Sequence, residues 1–185
     1  MIKVNFGSGP FPLDGWINVD LDAACRPDLV ADFGRPLPFA AGAVDFIFTE
    51  DTIACIGLDA ARAFLRECRR ILRPDGAMRV LTPDLAKLMR MYLEEPARLV
   101  DLWNRTVGVP VTTGTACEVV NLAMELAGRF QFDSSTLIGL ARDAGFEAVR
   151  VGYRDSRFEA LAALDMRLPD ESVSMYHELY PGGDG

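Results

Sequence analysis

A strand–helix–strand unit in the middle of the chain constrains the fold most. Val44–Thr49 has the pattern of an apolar strand, and Ala77–Leu81 that of another. Between them, apolar residues recur with a helical period from Ala61 to Leu72, which predicts one buried helix face. Asp59 is the predicted N-cap, and Pro74-Asp75-Gly76 is predicted to end the helix. Because two strands joined by a covering helix form a right-handed crossover, the unit predicts a parallel sheet.

Further strands are predicted on both sides of this unit. Short apolar runs bounded by Gly, Pro and Asp predict buried parallel strands at Ile2–Phe6, Trp16–Leu21 and Asp28–Phe33. Near the other end, Ala148–Tyr153 and Ser172–Tyr180 alternate between apolar and polar residues. That alternation predicts an antiparallel pair at the edge of the sheet. The fold class is therefore α/β, a mostly parallel twisted sheet with an antiparallel edge pair and helices on both faces.

The segment after Pro83 has a helical pattern. Successive apolar stripes predict several helices within residues 84–130, which we interpret as a helical insert or cap. Ser134 or Ser135 is the predicted N-cap of a further helix that ends at Gly145. The length of 185 residues suits one domain, predicted over residues 1–180, and residues 181–185 are predicted to be a flexible tail.

Composition excludes several classes of function. The formal net charge is −8, whereas a protein that binds nucleic acid through phosphates usually presents a basic patch, so nucleic acid is disfavoured. Four cysteines without a CxxC pair and a single histidine, His177, do not form a metal-site pattern. We find no signal-peptide pattern and no apolar run long enough to span a membrane. The chain is therefore predicted to be cytoplasmic, with no metal and no membrane association.

A glycine turn followed by two acids predicts a ligand site. Gly7-Ser8-Gly9 comes directly after the first strand, and Asp20 and Asp32 end the second and third. Glycine lets a ligand approach the backbone, and carboxylates at the ends of parallel strands can bind ribose hydroxyls or an adenine amino group. Only Pro10–Gly15 separates the first two strands, too short for the usual crossover helix, and thirteen residues separate Gly7 from Asp20. This spacing disfavours a nicotinamide dinucleotide, one alternative function, and favours a nucleoside cofactor without phosphates.

The sequence resembles class I S-adenosylmethionine-dependent methyltransferases, in particular a compact bacterial group with an abbreviated first half. The phrases that carry the resemblance are VNFGSG, GWINVDLD, ADFGRPLPF, AVDFIFTED, FLRECRRILRPDGAMRVLTPDL and LARDAGF. The order RPLPF, VDFIF, RILRPDG is the most specific part. The resemblance implies a Rossmann-like methyltransferase fold and S-adenosylmethionine as the cofactor.

The resemblance also implies roles for individual residues. The glycine turn would hold the methionine part of the cofactor, Asp20 the ribose, and Leu21, Asp32 and Phe33 the adenine. Thr49, Glu50 and Asp51 would lie next to the methyl group and the substrate. The implied cofactor-binding residues are Phe6, Gly7, Ser8, Gly9, Asp20, Leu21, Asp32, Phe33 and Glu50.

Departures from the family pattern leave the activity open. Relatives often carry a histidine at the position of Asp51 and an acid–histidine pair where Ala54-Cys55 stand. Asp51 is the candidate catalytic base; Asp84 is either a second candidate or only a helix cap. The predicted function is methyl transfer to an unidentified small-molecule or macromolecular nucleophile. The alternative is a non-catalytic domain that binds the cofactor or a protein partner.

The sequence leaves open the role of three aromatic residues and the oligomeric state. Tyr92, Trp103 and Phe130, three aromatic residues of the helical region, either line the acceptor site or pack in the core. The sequence also leaves open a homo-oligomer.

Overall fold

Seven strands form one sheet in the part of the chain that the computed structural model describes, residues 1–126 and 128–183. The strands are β1 (Lys3–Phe6), β2 (Ile17–Asp20), β3 (Leu29–Val30), β4 (Val44–Glu50), β5 (Leu72–Pro83), β6 (Phe146–Val151) and β7 (Ser174–Pro181). Their order across the sheet is β3-β2-β1-β4-β5-β7-β6. The first five run parallel, and β7 lies antiparallel to both β5 and β6. This confirms the predicted fold class, including the antiparallel edge.

Helices surround the sheet and extend beyond one end of it. They are α1 (Thr52–Cys55), α2 (Leu58–Ile71), α3 (Leu85–Glu94), α4 (Pro96–Thr106), α5 (Ala116–Leu126), α6 (Ser134–Asp143) and α7 (Glu159–Ala162). Two short 3₁₀ helices span Ala23–Cys25 and Pro169–Glu171. No helix among the described residues is both long and apolar enough to cross a bilayer.

The β4–α2–β5 crossover forms as predicted, with corrected ends. The predicted apolar face of α2 is buried against the sheet, and Phe64 is fully buried. Gly57, not Asp59, is the N-cap, and Asp59 lies in the first turn. The helix ends at Ile71, before Pro74, because Leu72 already has extended backbone and pairs with Val44 of β4.

The β1–β2 crossover has no helix, as the short connection predicted. The buried Asn18 amide holds the connection down: its oxygen accepts hydrogen bonds from Leu13 N–H (2.8 Å) and Asn5 Nδ2 (3.0 Å). Its nitrogen donates to the carbonyls of Leu13 and Trp16, each at 3.2 Å. Asp28 accepts from the Asn18 backbone N–H at 2.8 Å. A hydrogen-bonded amide thus takes the place of a crossover helix and satisfies loop groups that would otherwise be buried unpaired.

The third strand is shorter than predicted. β3 contains only Leu29 and Val30, because the backbone turns at Asp32, whose Oδ1 accepts from Gly34 N–H at 2.9 Å. The turn carries Phe33 into the main core, where its ring contacts those of Phe6 and Phe64.

Helix α6 and the two last strands confirm the predicted C-terminal half with shifts of a few residues. Asp133 caps α6 by accepting from Thr136 N–H at 2.8 Å, so the prediction of Ser134 or Ser135 as the cap is wrong. Pro181 ends β7, and Gly182 N–H donates to Gly145 O at 3.0 Å. The last two residues of the predicted tail, 184–185, lie outside the described residues.

Helices α3, α4 and α5 pack against one another around an apolar cluster of their own. Its most buried members include Leu88, Leu99, Leu102, Trp103 and Val119. The cluster follows directly on β5, since α3 begins two residues after Pro83. The division of the chain into one domain with an insert over residues 84–130 stays a prediction.

Candidate functional site

The glycine turn leaves the carboxyl end of β1 with positive φ at both glycines. Gly7 has φ +73° and Gly9 has φ +51°, conformations that side-chain-bearing residues rarely adopt. A Cβ on Gly7 would lie 1.8 Å from Thr52 Oγ1, whereas a Cβ on Gly9 would meet no atom within 4 Å. Gly7 is therefore required by packing within the chain, and Gly9 borders open space.

Asp20 is tied to this turn. Its Oδ2 accepts from Gly9 N–H at 2.8 Å, and its Oδ1 accepts from Asp22 N–H at 2.9 Å. A carboxylate oxygen has two lone pairs, so each oxygen can still accept a second hydrogen bond. The structure thus brings together the two parts of the site that the sequence predicted most strongly.

The other residues predicted to contact the cofactor are placed differently. The side chains of Phe6 and Phe33 lie in the main core, so only their backbones could face a ligand. Leu21 is 60% exposed. Asp32 pairs with Arg35 on the surface in addition to closing its own turn. Their contact with a cofactor stays a prediction.

Two carboxylates at the carboxyl end of β4, Glu50 and Asp51, share one arginine. Arg167 Nε donates to Glu50 Oε1 at 2.6 Å, and Arg167 Nη2 lies 2.6 Å from Asp51 Oδ2. Asp51 has left-handed backbone (φ +56°) at the N-cap of α1. Among the described residues, its second oxygen is buried without a hydrogen-bond partner. Burial raises the pKa of Asp51 to about 6, although the Arg167 charge opposes that rise.

Sequence reasoning did not identify Arg167. It lies in residues 165–172, a segment we call the strap, which the rest of the chain holds at several points. Asp165 is fully buried on Arg79, with Arg79 Nε to Asp165 Oδ1 at 2.7 Å. Tyr176 Oη donates to Arg167 O, and Lys87 Nζ donates to Ser172 O at 2.7 Å. A lone arginine in a loop carries no local signal of these distant contacts.

A cavity of about 760 Å³ opens between these elements. The glycine turn, Glu50 and Asp51 line it together with Arg167 and residues of the α3–α5 cluster. Within the described part of the chain, Ser8 Oγ is a buried hydroxyl without a hydrogen-bond partner, and Ser8 also lines the cavity. An unpaired buried hydroxyl beside an open turn indicates a place where a polar ligand group can bind.

The three aromatic residues of the helical region, Tyr92, Trp103 and Phe130, differ in whether they line the cavity. Trp103 lines the cavity, and its Nε1–H donates to Val109 O at 2.8 Å. Tyr92 is 38% exposed and does not line it. Phe130 packs against Phe132, with ring centroids 4.9 Å apart, at the edge of the main core.

Asp84 is a helix cap. It is 2% exposed, and its Oδ1 accepts from Ala86 N–H at 3.0 Å. Its Oδ2 pairs with Arg150 at 2.9 Å.

His177, the single histidine, is fully buried with Nε2 2.7 Å from Ser134 Oγ, and it does not line the cavity. Asp51, the candidate base, lines the cavity beside Glu50, whereas Asp84 does not line it. No group of three or more His, Cys, Asp and Glu in the described ranges could hold a metal ion.

Comparisons with known proteins identify the fold. Residues 17–80, from β2 into β5, match the family model described as a methyltransferase domain. A search of curated proteins found no significant match.

Among the solved structures that resemble this chain are proteins described as methyltransferases, all of low sequence identity to it. A S-adenosylmethionine-dependent methyltransferase from Thermotoga maritima is 21% identical, with TM-score 0.56, over 97% of this chain and 81% of that one. A TehB-like methyltransferase from Corynebacterium glutamicum is 11% identical, with TM-score 0.54, over 97% and 80%. A chain of the complex between the Haloferax volcanii Trm112 methyltransferase activator and a methyltransferase is 15% identical, with TM-score 0.56, over 100% and 83%. The fold is the Rossmann-like fold of class I methyltransferases, and the resemblance seen in the sequence is confirmed.

Proposed function

We propose that this chain binds S-adenosylmethionine at the glycine turn and transfers its methyl group to an acceptor in the cavity. One observation carries the proposal: the turn after β1 and the two carboxylates at the carboxyl end of β4 line the same cavity. The match of residues 17–80 to a methyltransferase domain supports it. The match begins after the turn, so the geometry of the turn is independent support.

The residues present fit the cofactor. Gly9 borders open space, Ser8 Oγ lacks a partner among the described residues, and Asp20 retains acceptor capacity beside both. In the proposed complex the turn binds the methionine part and Asp20 binds the ribose hydroxyls. When bound, S-adenosylmethionine supplies an electrophilic methyl group on a positively charged sulfur.

The chain itself has to align the acceptor, exclude water and remove a proton. With a pKa of about 6, Asp51 is mostly ionised at pH 7 and can take a proton from an acceptor hydroxyl or amine. Asp51 would take the proton that the acceptor loses, and S-adenosylmethionine would supply the methyl group together with its leaving group, the neutral thioether sulfur. Arg167 positions the carboxylate, and the positive charge of Arg167 favours the ionised form.

A second candidate is a non-catalytic domain that binds the cofactor. The Arg167 contacts to Glu50 and Asp51 favour it, because they engage both carboxylates that could act as the base. The absence of a histidine from the cavity lining among the described residues points the same way.

Calorimetry with S-adenosylhomocysteine tests cofactor binding. We expect binding to wild type and a loss of at least about tenfold in affinity for Asp20→Ala, since a charge-assisted hydrogen bond contributes roughly 1.5–3 kcal/mol. Asp59→Ala removes an exposed carboxylate on α2, far along the chain from the turn, and should bind like wild type. Equal affinity of the two variants, or no binding to wild type, would contradict the proposal.

Transfer of labelled methyl to acceptors in a cell extract separates the two candidates. Asp51→Asn keeps a residue that tolerates left-handed backbone, so the variant should fold and bind S-adenosylhomocysteine. For an enzyme we expect transfer to fall about 10²–10⁴-fold. Binding without any transfer by wild type supports the non-catalytic domain.

A further inference from the structure

Helices α3–α5 line the cavity mostly with apolar side chains; Thr106 of α4, whose Oγ1 donates to Leu102 O at 2.8 Å, is polar. Leu88 comes from α3, Leu99, Leu102 and Trp103 from α4, and Ala123 from α5. All five belong to the α3–α5 cluster, where the three leucines and Trp103 are at least nine-tenths buried. Ligand sites of this kind take most of their affinity from apolar contact, and a few polar groups fix the orientation.

Among the described lining residues of the cavity, no cationic side chain is free to pair with a ligand. Glu50, Asp51 and Glu171 line it, and Arg167 is the one cationic side chain among the described lining residues. Both Glu50 and Asp51 already pair with Arg167 at 2.6 Å. An anionic ligand would therefore meet an excess of negative charge, and like charges brought together in an interface cost several kcal/mol.

The rim of the cavity exposes large apolar side chains. Phe11 is 80% exposed, Met166 76%, Leu168 43% and Val107 41%, and all four line the cavity. They come from the glycine-turn loop, the strap and the end of α4. An apolar molecule entering the cavity would bury this surface, which favours its binding.

We propose that the methyl acceptor is an apolar small molecule, neutral or cationic, that binds among α3–α5 with its nucleophile at Asp51. This inference rests on the proposed function and narrows its substrate to one chemical class. Acceptors with a net negative charge, nucleic acids among them, are disfavoured by the charge of the cavity.

Two fluorescent probes with one ring framework test the class. N-phenylnaphthylamine is neutral, and anilinonaphthalenesulfonate is the same framework with a sulfonate. We expect the full-length chain to bind the neutral probe at least about tenfold more tightly, the factor that 1.4 kcal/mol of charge repulsion gives. Equal affinity, or tighter binding of the sulfonate, overturns the proposal.

A pair of variants on α5 locates the probe. Ala123 is half-buried and lines the cavity, so Ala123→Trp should fill it and weaken neutral-probe binding at least about tenfold. Met124, the next residue, is 36% exposed and does not line the cavity, so Met124→Trp should bind like wild type. If Ala123→Trp does not fold, Val107→Asp at the exposed rim replaces it, with a weaker binding of the neutral probe expected.

S-adenosylhomocysteine affinity, measured on the same variants, separates the two proposals. Unchanged affinity for S-adenosylhomocysteine with weakened probe binding in Ala123→Trp supports the assignment of the acceptor site. Equal probe binding in Ala123→Trp, Met124→Trp and wild type overturns that assignment and leaves the cofactor proposal standing. Failure of S-adenosylhomocysteine to bind wild type contradicts the proposed function whatever the probes do.

Discussion

The β1–β2 crossover and the β4–β5 crossover are stabilised by different kinds of interaction. Between β4 and β5, α2 covers the sheet with an apolar stripe in which Phe64 is fully buried. Between β1 and β2 there is no helix, and the buried Asn18 amide holds the connection through hydrogen bonds. The first arrangement gains stability from buried apolar area, the second from satisfied polar groups.

On our proposal, the ligand site lies at the helix-free crossover. A crossover helix would begin where the chain leaves β1, and its N-terminus would bind phosphates. The loop places Gly9 and Asp20 there instead, beside open space. Such a site suits a nucleoside cofactor without phosphates. The comparison predicts that the helical crossover determines stability and that the helix-free crossover determines both stability and binding.

Truncation in the helical crossover should have the largest effect on stability. Phe64→Ala removes a fully buried ring that contacts Phe6 and Phe33, so we expect the free energy of unfolding to fall by about 4 kcal/mol. Urea unfolding measures it. Phe11→Ala removes an 80% exposed ring and should change stability by less than about 0.5 kcal/mol. Similar values for the two variants would contradict the apolar account of this crossover.

Removal of the Asn18 amide should affect stability and binding together. Asn18→Leu leaves Leu13 N–H and the Asn5 amide without their partner, and we expect a loss of about 3 kcal/mol. S-adenosylhomocysteine should also bind at least about tenfold more weakly, because the same loop carries the glycine turn. Asn104→Leu, on the exposed side of α4, is the control. The comparison fails if Asn18→Leu is as mild as Asn104→Leu in both measurements.

His177, which lies on β7 in the other half of the sheet, should contribute to the pH dependence of stability. Burial, with a contribution from Arg150, lowers the pKa of His177 from its ordinary 6.5 to about 4. The unfolded chain then binds a proton that the folded chain does not, so stability is complete above pH 6.5 and falls as the pH drops towards 4. The loss attributable to His177 is at most about 3 kcal/mol.

His177→Gln isolates this contribution. The variant should lose less stability than wild type between pH 6.5 and 4, measured by urea unfolding at each pH. The raised pKa of Asp51, about 6, acts in the opposite direction, but it is present in both proteins and cancels in the difference. Parallel curves for the two proteins would show that His177 does not titrate as proposed.

The smallest effects should distinguish the two glycines of the turn. Gly9→Ala strains a positive φ without a clash, and we expect a loss of about 1 kcal/mol. Gly7→Ala adds a clash with Thr52 and should cost about 2 kcal/mol or more. Thermal unfolding of both variants measures the difference. The reverse order would contradict the assignment of Gly7 to internal packing and Gly9 to the ligand site.

Local patterns in the sequence predicted the helices, the strands and the glycine turn. Hydrogen bonds between separate segments of the chain could not be predicted in this way. The apolar period of α2, the glycine turn and the alternation of the last strands are local, so they could be predicted. The hydrogen bonds from Asn18 to the loop and from Arg167 to Glu50 join separate segments of the chain. The residues adjacent to Asn18 and Arg167 in the sequence give no indication of these partners. Asp133 was missed as the cap of α6 because two serines follow it, and both are acceptable caps.

Phe33 shows that local sequence patterns do not determine where an aromatic side chain packs. The sequence predicts Phe33 at the end of a strand, but the turn at Asp32 directs its ring into the core. Contact of Phe33 with the adenine, which the family resemblance implies, stays a prediction. A residue that is suitable for stacking on a base is equally suitable for core packing, and only the tertiary structure selects one. The same holds for the other two aromatic residues: Trp103 lines the cavity, and Phe130 packs against the main core.

A crystal structure with S-adenosylhomocysteine would decide whether the glycine turn and Asp20 bind the cofactor. We expect the ribose hydroxyls hydrogen-bonded to Asp20, the homocysteine part against Gly7–Gly9, and the sulfur directed into the cavity towards Asp51. Adenosine bound elsewhere on the protein, or crystals at saturating ligand with the turn in contact only with the chain itself, would contradict this expectation.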